Sequence, residues 1–366
     1  MGNKIRVGVL FGGRSAEHEV SLQSARNVID AIDSDKYETV LIGIDRAGAW
    51  FLNQDSISLL HSDDPRLIAL NQSNNSVSLV PSDQTGMLVD LQGSSQLPAI
   101  DVLFPVLHGP YGEDGSVQGL ARLANVACVG SDILGSAVGM DKDVSKRLLR
   151  DAGIPVARHL CLRRGGLSAE IRDRLEREFG YPLYVKPSNM GSSVGVFKVD
   201  RSGDLDAAID SALQYDTKIV IEETIIGREI ECSVLGNDNP IASAVGEIGT
   251  DDGFYSYEKK YIDDDGADLI IPASLDNATL ERVQQTAIAA FQALEARGMA
   301  RVDMFLTAED EIYINEINTI PGFTAISMYP KLWAESGMSY TELIDRLIQL
   351  ALEEYEARSR LITTGY

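Results

Sequence analysis

Apolar positions along the 366-residue chain fall into short blocks of two kinds, continuous runs and helical stripes. Residues 5–13 (IRVGVLFGG) form a strand-length apolar run stopped by two glycines, which predicts a buried strand. Leu22, Ala25, Val28, Ile29 and Ile32 then recur at helical spacing, a single apolar stripe on a helix. TVLIGI (39–44) and IDVLFPVLHG (100–109) predict two further strands. Strand–helix–strand alternation predicts an open α/β sheet with parallel strands. Such sheets hold ligands at the carboxyl ends of their strands, where Gly12, Gly13, His108 and Gly109 fall. The stretch 53–98, rich in Ser, Asn, Gln and Asp, reads as edge structure and loops.

The pattern changes near residue 130. Residues 141–152 predict a helix stopped by Gly153 and Pro155. A strand-like VARHLCL, a charged helix (168–179), a strand at 181–188, a helical DLDAAIDSAL and the strand KIVIEE (218–223) follow. A third change comes near 225. EIECSVLG (229–236) and IASAVGEIG flank a GNDN hairpin turn. Helix 276–297 carries Leu280, Val283, Ala287, Ala290 and Leu294 on one face, with Gly298 expected as its C-cap. A β-hairpin and two helices finish the chain. The expected units are therefore 1–130, 131–225 and 226–366. Within the last of them lies one long polar stretch, 249–268, with glycines and three tyrosines. A loop of about 20 residues inside a compact domain reads as a lid.

Composition narrows the function. Hydrophobic residues make up 44% and charged residues 24%, which excludes a disordered or collagen-like chain. No apolar run approaches the ~20 residues of a membrane helix, and the N-terminus lacks a signal-peptide pattern. Cys128, Cys161 and Cys232 stand far apart, which suits a reducing cytosol rather than a disulfide scaffold or zinc site. The net charge of −23 makes nucleic acid and anionic membrane poor partners. Phosphate binding in so acidic a chain would require lysines, glycines and metal ligands to be concentrated locally.

Two stretches meet that requirement. In RVDMFLTAEDEIYINEIN, a turn centred on Glu309-Asp310 sets Asp303 opposite Glu316 and Arg301 opposite Asn318. Residues two apart on a strand share a face, so all four project together. The face is either a solvated polar sheet surface or a cation site. Two carboxylates directly opposite repel unless a cation offsets them, and oxygen donors of this kind suit Mg²⁺. In VKPSNMGSSVGV (185–196), Lys186 on a strand precedes a Gly/Ser loop with Ser192 and Ser193. Such a loop either wraps phosphate with backbone N–H groups and hydroxyls or is an ordinary flexible turn. GSSVG also matches the hydrolase nucleophile elbow, but all four histidines precede Ser193, against the Ser–Asp–His order that fold requires. Walker A, GxGxxG and HExxH patterns are absent. GGRSAEHEVS (12–21) and HGPYGEDGSVQG (108–119) place Glu17, His18 and an acidic pair at strand ends. Each is weak alone, as a helix terminus or capped loop would look the same; together on one sheet edge they reinforce each other.

FGGRSAEHEVS, HGPYGEDGSVQG, MDKDVSK, VKPSNMGSSVG, FYSYEKKY and NEINTIPGFT, in that order over residues 11–324, resemble the ATP-grasp enzymes, and among them the D-alanine–D-alanine ligases. The resemblance covers essentially the whole chain. It implies a three-domain ATP-grasp fold with an N-terminal open parallel α/β domain. It implies a cytoplasmic homodimer that joins two D-alanines through an acyl phosphate for peptidoglycan synthesis. ATP would be a substrate, with Mg²⁺ or Mn²⁺, as two ions, as cofactor. By the same resemblance Glu17 binds the first ammonium, tied to Ser192 and Tyr261, and His108 lines that pocket. Arg301 and the Gly322 N–H stabilise the acyl phosphate and oxyanion, and Ser327 and Met328 hold the second carboxylate. Lys142, Lys186 and Lys260, with Ser192 and Ser193, serve the ATP phosphates. Glu222 and Glu229 serve the adenine and ribose, and Asp303, Glu316 and Asn318 hold the metal. The FYSYEKKY stretch resembles the dipeptide-forming type rather than the D-lactate type, whereas Pro110 and Tyr111 depart mildly from the family pattern.

Overall fold

A computed structural model describes residues 4–53, 59–60, 69–70, 76–82, 85–93, 97, 99–249 and 268–362. The apolar run Ile5–Gly12 becomes the central strand of a five-stranded sheet, because strands cover both its edges and helices both its faces. It pairs in parallel with Tyr37–Ile44 on one side and Val102–Val106 on the other. Ala127–Cys128 extends the sheet beyond Val102–Val106, and the antiparallel Trp50–Asn53 closes the opposite edge. Helix His18–Ala31 buries Leu22, Ala25 and Val28 against this sheet, the stripe its spacing predicts. The chain crosses from one side of Ile5–Gly12 to the other, so Gly12–Gly13 and Leu107–Gly109 meet at the switch point.

Two antiparallel sheets follow. The first has the order His159–Arg163, Lys218–Glu223, Leu183–Pro187, Phe197–Val199. Helices Ala169–Glu178 and Leu205–Ala212 cover one of its faces, with Leu175, Leu205, Val185 and Ile221 in the shared core. The second sheet has the order Asp268–Ile270, Ile241–Gly249, Arg228–Gly236, Gly298–Leu306, Ile312–Asn318. Helix Asn277–Ala293, capped by the Asp276 side chain on the Ala278 and Thr279 N–H groups, packs Val283, Ala287 and Phe291 on this sheet.

Three features of the packing differ from the sequence pattern. Helix Asn277–Ala293 ends before Gly298, and the left-handed turn falls on Glu295, at φ 54°. Gly298 instead opens the next strand at φ 71°, where a Cβ would meet the Gly130 backbone at 3.1–3.2 Å. Its absent side chain lets the N-terminal sheet's last loop touch the third sheet. Where one helix over 141–152 is expected to open the central unit, two stand, Ile133–Met140 and Lys142–Asp151, and they send Val138 and Leu149 into the third sheet's core. The last helix, Tyr340–Ser359, packs back on the N-terminal sheet, with Leu343, Leu347 and Ile348 against Val7, Phe11 and Phe104. No described helix is long and apolar enough to cross a membrane.

Candidate active site

The polar hairpin forms as its alternation predicts, but by a different route. Near the turn the register pairs Leu306 with Ile312 and Met304 with Ile314, one residue off the expected alignment. A bulge that leaves Asn315 extra restores Asp303 opposite Glu316 and Arg301 opposite Asn318. The Arg301 guanidinium forks onto the Asp303 carboxylate with two N–H donors at 2.7 Å, and Asn318 Nδ2 donates to Asp303 Oδ2 at 3.0 Å. Glu316 lies 3.1 Å from the Lys142 ammonium. The repulsion between the two carboxylates is thus offset by side-chain cations. Glu231, on the neighbouring strand and buried, adds a third carboxylate at 3.0 Å from Arg301 Nε; the sequence reading missed it, because only the pairing of the two strands sets it directly opposite Asp303. Among the described residues no group of three His, Cys, Asp or Glu side chains forms a metal site. The hairpin supplies two carboxylates and an amide, a hard oxygen set that fits Mg²⁺ or Mn²⁺ completed by phosphate oxygens.

A cavity of about 540 Å³ lies between the two antiparallel sheets, within the size range of small-molecule sites. Lys142, Lys186, Ser193, Glu222 and Glu229 line it, as do Asp303 and Glu316. Tyr184, Ile230 and Met304 give it apolar walls. Lys186 Nζ donates to Glu222 Oε2 at 2.8 Å and to Asn315 Oδ1 at 3.3 Å. Lys142 Nζ donates to the Met190 carbonyl at 2.7 Å. Lys146, 1% exposed, sits behind them at 3.3 Å from both Glu222 Oε1 and the Asn315 carbonyl. It went unassigned in the sequence although it stands in MDKDVSK, four residues and so one helical turn after Lys142. Burial opposes ionisation of Glu222, yet the Lys146 and Lys186 ammoniums beside it draw its carboxyl down to about 2. Burial lowers the Lys146 ammonium, with Glu222 acting against it.

A small pocket lies next to the cavity. Glu17, His108, Ser192, Arg301, Asn318 and Gly322 line it, and Glu316 lines both spaces. Ser192 and Ser193 take left-handed backbone conformations, at φ 50° and 58°, an uncommon pair that clusters at functional loops. This geometry turns the Ser192 hydroxyl onto Glu17 Oε1, which accepts a short hydrogen bond. Glu113, buried and also lining this pocket, is a second carboxyl the sequence reading left unassigned. Burial and the nearby Glu17 push it up to about 8. Ser327 and Met328 stand apart from both linings. Ser327 bonds the Thr324 N–H at 2.9 Å and begins helix Met328–Glu335, and Met328 is buried against Ile248 and Leu332. Lys260, Tyr261 and most of the 249–268 stretch lie outside the described residues.

The layout, a lysine-lined cavity joined through one glutamate to a small acidic pocket, matches known proteins over the full chain. Family models described as the D-ala D-ala ligase N-terminus and C-terminus match residues 6–131 and 148–349. The chain belongs to the D-alanine–D-alanine ligase family. It is 52% identical over 358 residues to a D-alanine–D-alanine ligase of Oceanobacillus iheyensis, covering 98% of each chain. Among solved structures it is similar to the D-alanine–D-alanine ligase of Coxiella burnetii, with a TM-score of 0.84, 34% identity, and 98% and 97% of the two chains covered. It is also similar to VanG, a D-Ala:D-Ser ligase from Enterococcus faecalis, with a TM-score of 0.84, 37% identity, and 95% and 100% covered. The family's ATP-grasp fold accounts for the two antiparallel sheets enclosing the cavity.

Proposed function

We propose that the chain joins two D-alanines into D-alanyl-D-alanine at the expense of ATP, in the cytoplasm, for peptidoglycan precursor synthesis. The observation that carries this reading is Glu316, which lines both the large cavity and the small pocket. A γ-phosphoryl group and a carboxylate must meet at such a junction. ATP lies in the large cavity, its adenine on the apolar walls and the Glu222 and Glu229 side, its phosphates toward Lys142, Lys186, Ser192, Ser193 and Lys260. The ammonium of the first D-alanine is held by Glu17, which Ser192 and Tyr261 orient. Its carboxylate oxygen attacks the γ-phosphorus and ADP leaves. This matters because a carboxylate is a poor electrophile, whereas phosphate is a good leaving group from an acyl carbon. The second D-alanine, its carboxylate near Ser327 and Met328, attacks with its free amine. Arg301 and the Gly322 N–H stabilise the oxygen that becomes negative. The tetrahedral intermediate collapses to the peptide and phosphate.

Asp303, Glu316 and Asn318 would hold Mg²⁺ or Mn²⁺, which when bound shields the phosphate charge. With the nucleotide and metal in place, Lys142 and Arg301 would exchange Glu316 and Asp303 for phosphate oxygens, Arg301 keeping Glu231 beside it. Three units, 1–130, 131–225 and 226–366, are the division we favour, with 249–268 as a lid that excludes water from the acyl phosphate. A homodimer through the N-terminal unit is the assembly we favour.

Phosphate release with ATP and D-alanine, with L-alanine as control, tests the reading. Phosphate release with D-alanine only, coupled to dipeptide formation, is the expected result; equal release with both enantiomers would overturn it. Because a structural neighbour is a D-Ala:D-Ser ligase, mixed-acceptor product analysis with D-alanine, D-serine and D-lactate completes the test, with D-alanyl-D-alanine expected as the main product.

A further inference from the structure

Loop 320–323 carries the Gly322 N–H, and its neighbours are gripped by the His108–Glu113 loop and helix His18–Ala31 of the N-terminal unit and by Tyr340 of the last helix. The Ile320 N–H donates to Glu113 Oε1 at 3.0 Å, while Glu113 Oε2 accepts from the Gly109 N–H at 2.8 Å. The Ile320 carbonyl pairs with His108 Nδ1 at 3.1 Å. His108 Nε2 pairs with Ser24 Oγ at 3.1 Å, and that hydroxyl accepts from the Phe323 N–H at 3.2 Å. The Phe323 carbonyl accepts from Asn27 Nδ2 at 3.0 Å and from the Tyr340 hydroxyl at 2.6 Å. These bonds are mutually consistent with one assignment. His108 is neutral with its proton on Nδ1, donates to Ile320, and accepts the Ser24 hydroxyl proton at Nε2. Burial lowers the His108 imidazole, in keeping with that neutral form. Glu113, His108 and Ser24 are all buried.

The grip leaves one donor over. Gly322, between the clamped Ile320 and Phe323 and following a proline, has no hydrogen-bond partner for its N–H among the described residues. Both ring nitrogens of His108 are used inside the protein, so this histidine reaches the loop rather than a ligand. We propose that Glu113, His108 and Ser24 are positioning residues that clamp loop 320–323 so that the Gly322 N–H is aimed at the acyl oxygen during the reaction. The inference rests on the ligase reading and adds to it a set of residues that act through the loop without touching substrate. The physical reason is that an oxyanion donor must be fixed before charge develops. A loop satisfied only by solvent would have to reorganise at that moment.

Glu113→Gln is the direct test. Both Glu113 oxygens accept backbone N–H groups, so the new amide NH₂ would face one of those donors and release it. A misplacement of the order of an ångström costs up to about a hundredfold in rate. The expected result is a kcat lower by roughly ten- to a hundredfold, with KM for ATP and for D-alanine within about threefold of the parent. Affinity for a tetrahedral phosphinate analogue of the dipeptide should fall in parallel with kcat, since only interactions made in the transition state are lost. Ser24→Ala removes the second anchor, at Phe323, and should show the same split; it carries the test if Glu113→Gln fails to fold by circular dichroism and gel filtration. An unchanged kcat in a folded variant would overturn the inference, as would a raised D-alanine KM with kcat retained, because that marks direct substrate contact. Failure of the ligase reading shows separately, as absence of D-alanine-dependent turnover in the unaltered chain.

Discussion

Replacing Lys146 by Met removes a single ammonium from behind the lining of the large cavity while keeping most of the side chain's volume. Lys146 is 1% exposed, and its Nζ lies 3.3 Å from Glu222 Oε1 and 3.3 Å from the Asn315 carbonyl. At 3.3 Å and an effective dielectric of about 20, the pair's attraction is about 5 kcal/mol. Most of that is offset by the cost of burying the ammonium, which is why burial lowers it despite Glu222. Removing one partner of a buried pair costs about 3–5 kcal/mol when the other is left alone. Glu222 keeps Lys186 at 2.8 Å, so the expected loss is smaller, about 2 kcal/mol, a few degrees in Tm for a chain of this size. The sign of the pH effect follows from Glu222. Its carboxyl is drawn below the ordinary value of 4.5 to about 2, so it contributes stability that is full above pH ~4.5 and is lost as pH falls toward 2. With Lys146 gone, the folded value rises toward the ordinary one and that contribution shrinks. The variant should therefore melt earlier than the parent at pH 7, and the gap should narrow as pH drops from about 5 to 3. Calorimetry across that range, with nucleotide affinity by titration calorimetry, is the assay. Nucleotide binding should weaken by roughly tenfold, about 1.4 kcal/mol, because Lys186 and the Asn315 bulge lose their shared brace. Equal melting at pH 7 with equal nucleotide affinity would refute the view that Lys146 braces this cavity.

Other substitutions probe the site and the frame. Asp303→Asn or Glu316→Gln should leave the far-ultraviolet spectrum unchanged and reduce turnover by at least a hundredfold; wild-type rates at low Mg²⁺ would remove both from metal binding. Ser192→Ala deletes the hydroxyl that bonds Glu17, with an expected roughly tenfold rise in D-alanine KM, as hydrogen bonds to charged groups contribute about 1.5–3 kcal/mol; an unaltered KM would separate Glu17 from this loop. Gly298→Ala adds a Cβ at 3.1–3.2 Å from Gly130 and at positive φ, which should cost about 1–3 kcal/mol; denaturant unfolding should show a lowered midpoint, and an unchanged midpoint would mean the two loops separate freely.

The sequence by itself determined the elements whose period and punctuation are local. The run at 5–13 and the stripe from Leu22 became strand and helix because period alone fixes which face is buried. The facing of Asp303 and Glu316 was legible for the same reason, since alternation places them on one side of a hairpin. Yet the register there is corrected by a bulge at Asn315, which no alternation announces. The bulge exposes a carbonyl and an amide to Lys146 and Lys186, groups that lie 169 and 129 residues away. Nothing in MDKDVSK marks Lys146 out, and in HGPYGEDG Glu113 is one of an acidic pair at a strand end; the burial of both comes from contacts made only once the chain has folded. Tertiary structure also decided that Gly298 is a contact glycine rather than a helix cap, because the Gly130 backbone that demands it lies far off in sequence. The last helix returns to the N-terminal sheet because its apolar stripe of Leu343, Leu347 and Ile348 is buried there, and amphipathic period states that a face needs a partner without stating which one.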